Sequence, residues 1–213
     1  MPKFPDAPPI EALARVEAAV TTLARGTMLA RIYFTAGEHL TRWNAFRHFG
    51  PTNAGFDHHL ADTLGEAHLQ DRSILYCAAA ADTCLAEVFQ DTRRINRTRR
   101  APWLAIFELS RAVPLLDLTG AYPTRAGASM AISTGHRGRA RSWARAFYEA
   151  YPELHGIFYP SSMNGNAPAV ALNDRAEHSG CLPEHPAFNR ALADDALVDV
   201  LKHSAHKLGY GLI

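Results

Sequence analysis

The chain lacks the means for a covalent scaffold. Its 213 residues include three cysteines, Cys77, Cys84 and Cys181. A sparse, odd count without a Cys-x-x-Cys pair argues against a disulfide framework and a zinc ribbon, and suits a reducing, cytoplasmic setting. Net charge is nearly absent too. The 22 basic and 21 acidic residues leave +1, so no global field draws the protein to nucleic acid or to an anionic membrane. No run approaches the ~18 uncharged apolar residues of a membrane span. The opening stretch, MPKFPDAPPIEALARVEAAVTTLARG, carries Glu11, Arg15 and Glu17 inside its apolar part, where a secretory signal would be uncharged.

What is present is 47% hydrophobic residues, enough for one globular domain with a sizeable core. Residues 1 to 9 read as a mobile Pro-rich lead, and the spacing of Ile10, Leu13, Val16, Val20 and Leu23 predicts an amphipathic helix over 10 to 25. Residues 1–26 thus form a lead and helix ahead of a domain at 27–213. TMLARIYF reads as a strand interrupted by Arg31. Residues 35 to 72 form a long irregular stretch of the kind that is often functional. SILYCAA reads as the next strand. Asp82 would cap a helix over 83 to 90, with Cys84, Leu85, Val88 and Phe89 facing the core.

WLAIFELS and PLLDLTG read as strands, residues 127 to 150 as a helix, GIFYPSS and APAVALND as paired strands, and the C-terminal stretch as a last helix. The fold class is α+β, a strand-rich core edged with helices.

Several side chains stand out against this pattern. Glu87 lies beside the apolar face of its helix, either partly solvated or aimed into a cleft at a strand-to-helix junction. Arg31 is either on a solvated strand face or directed at a ligand, since its planar fork grips phosphates at two points. Tyr159, Ser161, Ser162 and Asn164 bring small hydrogen-bonding groups to a strand end, but no Gly-x-Ser-x-Gly elbow marks a nucleophile. His58 and His59 are adjacent, so on a strand they would point apart and not share a metal. The arginine runs 93 to 100 and 137 to 141 read as solvated basic faces.

The order of these residues is more specific than any one of them. An arginine on the first strand, then Y-C-A-A, a glutamate in T-C-L-A-E-V-F and then G-I-F-Y-P-S-S resembles the RES domain family. The similarity extends through FDHH, LLDLTG, RAGAS, SWARAFYEAY, SSMNG and the closing LGY, over residues 27 to 211. The resemblance implies an ADP-ribosyltransferase-like split β-sheet core flanked by helices. It also implies a toxin of a toxin–antitoxin pair that consumes NAD+ as substrate by phosphorolysis or hydrolysis, or transfers ADP-ribose to a protein. Inorganic phosphate would be a co-substrate in the first case, and no metal is required.

The implied partner is an Xre-type helix-turn-helix antitoxin covering the active site, with DNA reached only through it. Arg31, Tyr76, Glu87 and Ser161 match the marked catalytic positions, and Arg31, Tyr33, Arg47, Tyr76, Ser161 and Ser162 are the expected NAD+-binding set. One departure is Gly55 in NAGFDHH, where many members have an arginine. Either Arg47 reaches into the cleft instead, or catalysis is weakened and the protein is kept for antitoxin binding.

Overall fold

The computed structural model of the protein describes residues 4–213; residues 1–3 of the Pro-rich lead lie outside it. In chain order the elements are α1 (Ile10–Leu13), β1 (Val20–Leu23), β2 (Met28–Phe34), β3 (Arg47–Gly50), β4 (His68–Ala78), α2 (Ala81–Val88), β5 (Arg94–Ile95) and β6 (Pro102–Glu108). There follow β7 (Val113–Asp117), α3 (Tyr122–Arg125), α4 (Ala131–Thr134), α5 (Arg137–Ala150), β8 (Gly156–Pro160), β9 (Pro168–Asn173) and α6 (Asp174–Ser179). The chain closes with β10 (Phe188–Ala191), α7 (Val198–Leu208) and β11 (Gly211–Leu212).

One large sheet runs β1-β7-β8-β9-β4-β2-β6-β10, with β3 added beside β4. Most neighbours pair over several residues. β2 pairs with β6 from Met28↔Glu108 to Phe34↔Pro102, and β4 pairs with β9 from Ile74↔Asn173 to Ala78↔Ala169. Between β2 and β4 the register holds at Ala30↔Ala78 alone. The sheet therefore splits there, and this split sets the site.

Alternation along β4 explains its burial on both faces. Leu75 and Cys77 enter one apolar cluster with Phe107, Leu115 and Trp43. Ile74 and Ala78 enter the other, with Leu85, Trp143 and Phe147. α5 supplies much of the second cluster because Ala140, Trp143, Ala144 and Phe147 recur on one helical face.

Five local expectations are corrected. The helix expected over 10 to 25 ends at Leu13, and Val20–Leu23 is an edge strand against β7. Val20, Thr21 and Thr22 are β-branched, and sheet pairing overrides the helical spacing. The lead is not loose where described: Phe4 is buried, Trp143 Nε1 donates to Pro5 O at 2.9 Å, and Arg139 Nη1 donates to Phe4 O at 2.5 Å. Asp82 is not the cap. Ala80 holds that place, and the Asp82 carboxylate accepts from Ser204 Oγ and Lys207 Nζ instead. The helix expected from 127 begins only at Arg137, after the single-turn α4 and the extended Gly135. The irregular stretch 35 to 72 also contains β3 and the start of β4. Among the described residues no helix is long and apolar enough to cross a membrane.

Candidate functional site: a two-lobed cleft at the sheet split

Where β2 and β4 part, a cleft opens. Its inner lobe, about 230 Å³, is lined by Arg31, Thr41 and Arg47 among others. Its outer lobe, about 420 Å³, is lined by Gly55, Phe56, Ser133, Arg137, Ser162 and Met163 among others. Tyr76, Glu87, Val88 and Tyr159 line both, so the lobes are two parts of one cavity of the size a nucleotide-like ligand needs.

Glu87 stands at the junction, in the second turn of α2. Ser161 Oγ donates to its Oε1 at 2.5 Å. That hydroxyl in turn accepts from Met163 N at 3.2 Å, which aims its proton at the carboxylate. Asn164 Nδ2 donates to Thr83 Oγ1 at 2.9 Å and ties the β8–β9 loop to the helix. Burial raises the Glu87 pKa above the usual carboxylate range, while the Ser161 hydrogen bond and the Arg137 charge pull the other way. Val88, expected in the core, is exposed to the cavity rim.

Arg31 reaches the inner lobe from β2. Its Nη1 donates to Trp43 O at 2.9 Å and Ala45 O at 3.0 Å, which fixes the fork. Burial draws its pKa down to about 10, so it stays charged at neutral pH. The Tyr76 hydroxyl is buried and has no hydrogen-bond partner among the described residues. Burial pushes its pKa far up, with Asp57 and Glu87 adding to the rise. It is therefore a neutral phenol with an unspent donor.

Arg47 also lines the inner lobe, but Nη2 is held by Asp57 Oδ2 at 2.9 Å. Asp57 is fully buried. It accepts further from Thr52 N, Thr52 Oγ1, His59 N and His59 Nδ1. His58 bonds a different carboxylate, Asp174, at 3.4 Å, so the two histidines do not converge on one point. Burial raises the thiol pKa of Cys77, Cys84 and Cys181, which keeps all three protonated and inert.

The structure thus brings Arg31, Arg47, Tyr76 and Glu87 around one cavity, with Ser162 on the outer wall and Ser161 fully buried behind Glu87. Tyr33 stands apart. It lines neither lobe, packs in the other apolar cluster, and spends its hydroxyl on Asn189 Oδ1 at 2.9 Å, so the structure does not bring it together with the other expected residues. Sequence reading missed Ser133 and took Arg137 for part of a solvated basic face, while Tyr159, singled out at its strand end, does line the cavity. The only available signal for Arg137 was its i,i+4 spacing to Arg141, and both donate to the same loop, at Asn53 O and Thr52 O.

A split mixed sheet, helices on its flanks and a cleft at the split define an α+β protein with the ADP-ribosyltransferase-like fold. The RES domain family matches residues 28–193, and the chain belongs to that family. Among solved structures, a chain of the M. tuberculosis MbcT–MbcA toxin–antitoxin complex superposes with a TM-score of 0.54. The two share 14% identity over 91% of this chain and 96% of that chain. At that identity the likeness speaks for the fold. No curated protein matches the sequence.

Proposed function

We propose that the protein is the NAD+-degrading toxin of a toxin–antitoxin pair, cleaving the bond between nicotinamide and ribose. The observation that carries the reading is the Glu87 carboxylate, held by Ser161 at 2.5 Å on a wall shared with Arg31 and Tyr76. Membership of the RES domain family and a fold shared with a chain of a toxin–antitoxin complex support the biological side of it.

The chemistry follows from the charges. The bond breaks with its electron pair passing to the pyridinium nitrogen, which leaves as neutral nicotinamide, while positive charge develops on the ribose as in other glycosyl transfers. Glu87 accepts from a ribose hydroxyl and stabilises that charge in a site whose low polarity strengthens the attraction. Arg31, charged and fixed, holds the pyrophosphate or a ribose oxygen. Tyr76 packs on the nicotinamide–ribose end and donates its free hydroxyl. Ser161 keeps Glu87 in one rotamer and bears one proton of its hydrogen-bonding set. Inorganic phosphate or water then attacks the same ribose carbon, and none of these roles requires a metal.

A helix-turn-helix antitoxin of the Xre type is the proposed partner, seated over the cleft mouth. The test is incubation of purified protein with NAD+, with and without phosphate, followed by mass analysis. Free nicotinamide with ADP-ribose or its 1″-phosphate is expected. Intact NAD+ in both arms would refute the reading, and labelled protein bands in a lysate would replace it with transfer to a protein side chain.

A further inference from the structure

Three groups of the outer lobe have no part in the mechanism above, or only part of one. Ser133 Oγ is buried without a hydrogen-bond partner among the described residues, as is Tyr76 Oη, and both residues line this lobe. A buried hydroxyl left unpaired costs free energy unless something else accepts its proton. The third group is Arg137, the first residue of α5. Its Nη1 donates to Asn53 O at 3.2 Å and its Nη2 to Gln90 Oε1 at 3.0 Å. The guanidinium is thereby strung between the 52–55 loop and the end of α2, the two walls of the lobe. Its nearest acidic partner, Asp91, is 4.0 Å away on a side chain 87% exposed, a contact that water screens heavily.

Gly55 completes the picture. It lines the same lobe, two residues beyond the carbonyl that anchors Arg137, and open space faces the point where its side chain would begin. Arg47, the other candidate for that space, is committed to Asp57. A fixed guanidinium, with Arg141 Nη1 one turn along α5 on Thr52 O at 3.1 Å, and two free hydroxyl donors form the donor set of a phosphate site.

We propose that Arg137, with the Ser133 and Tyr76 hydroxyls, forms a phosphate-binding site in the outer lobe and supplies there the cation that Gly55 cannot. The proposal rests on the reading of the cleft as an NAD+ site. The phosphate is either the free orthophosphate that accepts the ribosyl group or the diphosphate of the dinucleotide. In both cases it lies in the lobe that Glu87 borders.

Titration calorimetry of orthophosphate and, separately, of pyrophosphate into the wild-type chain needs no turnover. It is therefore read whether or not the protein cleaves NAD+, and failure of one reading is distinguishable from failure of the other. At least one anion binds wild type, and Arg137→Gln, which keeps a donor for Asn53 but not the charge, weakens it by about tenfold, the scale of one charge-assisted bond. Ser133→Ala weakens it by about threefold, on the scale of one neutral hydrogen bond, and Arg99→Ala leaves it unchanged. Gly55→Arg added to Arg137→Gln restores most of the loss.

An effect confined to orthophosphate assigns the site to the acceptor, and one confined to pyrophosphate assigns it to the dinucleotide. Wild type binding neither anion, Arg137→Gln binding as wild type, or a double variant no better than the single overturns the proposal. Should Arg137→Gln fold poorly, unchanged binding in Ser133→Ala overturns it as well.

Discussion

Asp57 and Glu87 are both withdrawn from solvent beside the same cavity, and they are treated in opposite ways. Asp57, on the loop before β4, is fully buried and collects donors from Arg47, Thr52 and His59. Burial opposes its charge, but those donors win and its pKa falls well below the usual range. Glu87, on α2, receives one side-chain hydrogen bond, from Ser161, and burial wins, so its pKa rises. A saturated carboxylate holds its surroundings in place and has nothing left to offer a ligand. An under-served one is a local cost to folding that a positively charged neighbour would relieve. The pairing of environments that push two acids apart is what acid–base sites are built from.

The comparison can be broken at four points. Asp57→Ala strands Arg47 without its counter-charge and removes the acceptor that Thr52 and His59 share, and is expected to cost ~3–5 kcal/mol, as for other broken buried ion pairs; urea unfolding measures it. Glu87→Gln is expected to slow NAD+ loss at least about tenfold, ~1.4 kcal/mol of barrier. In the same urea experiment this variant should be as stable as wild type or more so, because it removes a charge that burial disfavours.

Acidity separates the two again. The raised Glu87 pKa means the folded state holds that proton more tightly than the unfolded chain. Its contribution to stability is therefore present at low pH and is lost as pH rises through the folded pKa, while turnover falls as pH drops through it. Asp57 has the reverse sign, stabilising above the unfolded pKa and failing only in strong acid. A rate profile in which the acidic limb sits at the ordinary glutamate value would count against the Glu87 assignment. The smallest effect expected is that of Asn164→Ala, which removes the tie to Thr83 and costs about 1 kcal/mol, the net worth of a neutral hydrogen bond, with a modest loss of rate.

Much of this was readable from residues. Arg31, Tyr76 and Glu87 are misfits in otherwise apolar elements, and their order along the chain pointed to one family and one cleft. β4 and α2 were legible because an apolar run followed by helical spacing is a local pattern. Arg137 was not. Its neighbours in sequence make it one arginine in a basic run, and its role arises only when α5 docks beside residues 52–55, more than eighty positions earlier. Tyr33 differs for the opposite reason, since strand alternation puts it two residues from Arg31 while its hydroxyl finds Asn189 on β10, away from the cavity. The first 25 residues misled because helical spacing there coexists with β-branched residues that pair with β7, a contact no local window contains.

The described lead also has a practical bearing. Phe4 and Pro5 are strapped onto α5 by Arg139 and Trp143, and the Tyr151 hydroxyl at the far end of that helix binds Leu13 O and Val16 O. The helix that begins with Arg137 is thus buckled at both ends by the segment from Phe4 to Val16. Deletion of residues 4–16 acts on that buckle, so such deletions belong among the variants that report on the cavity.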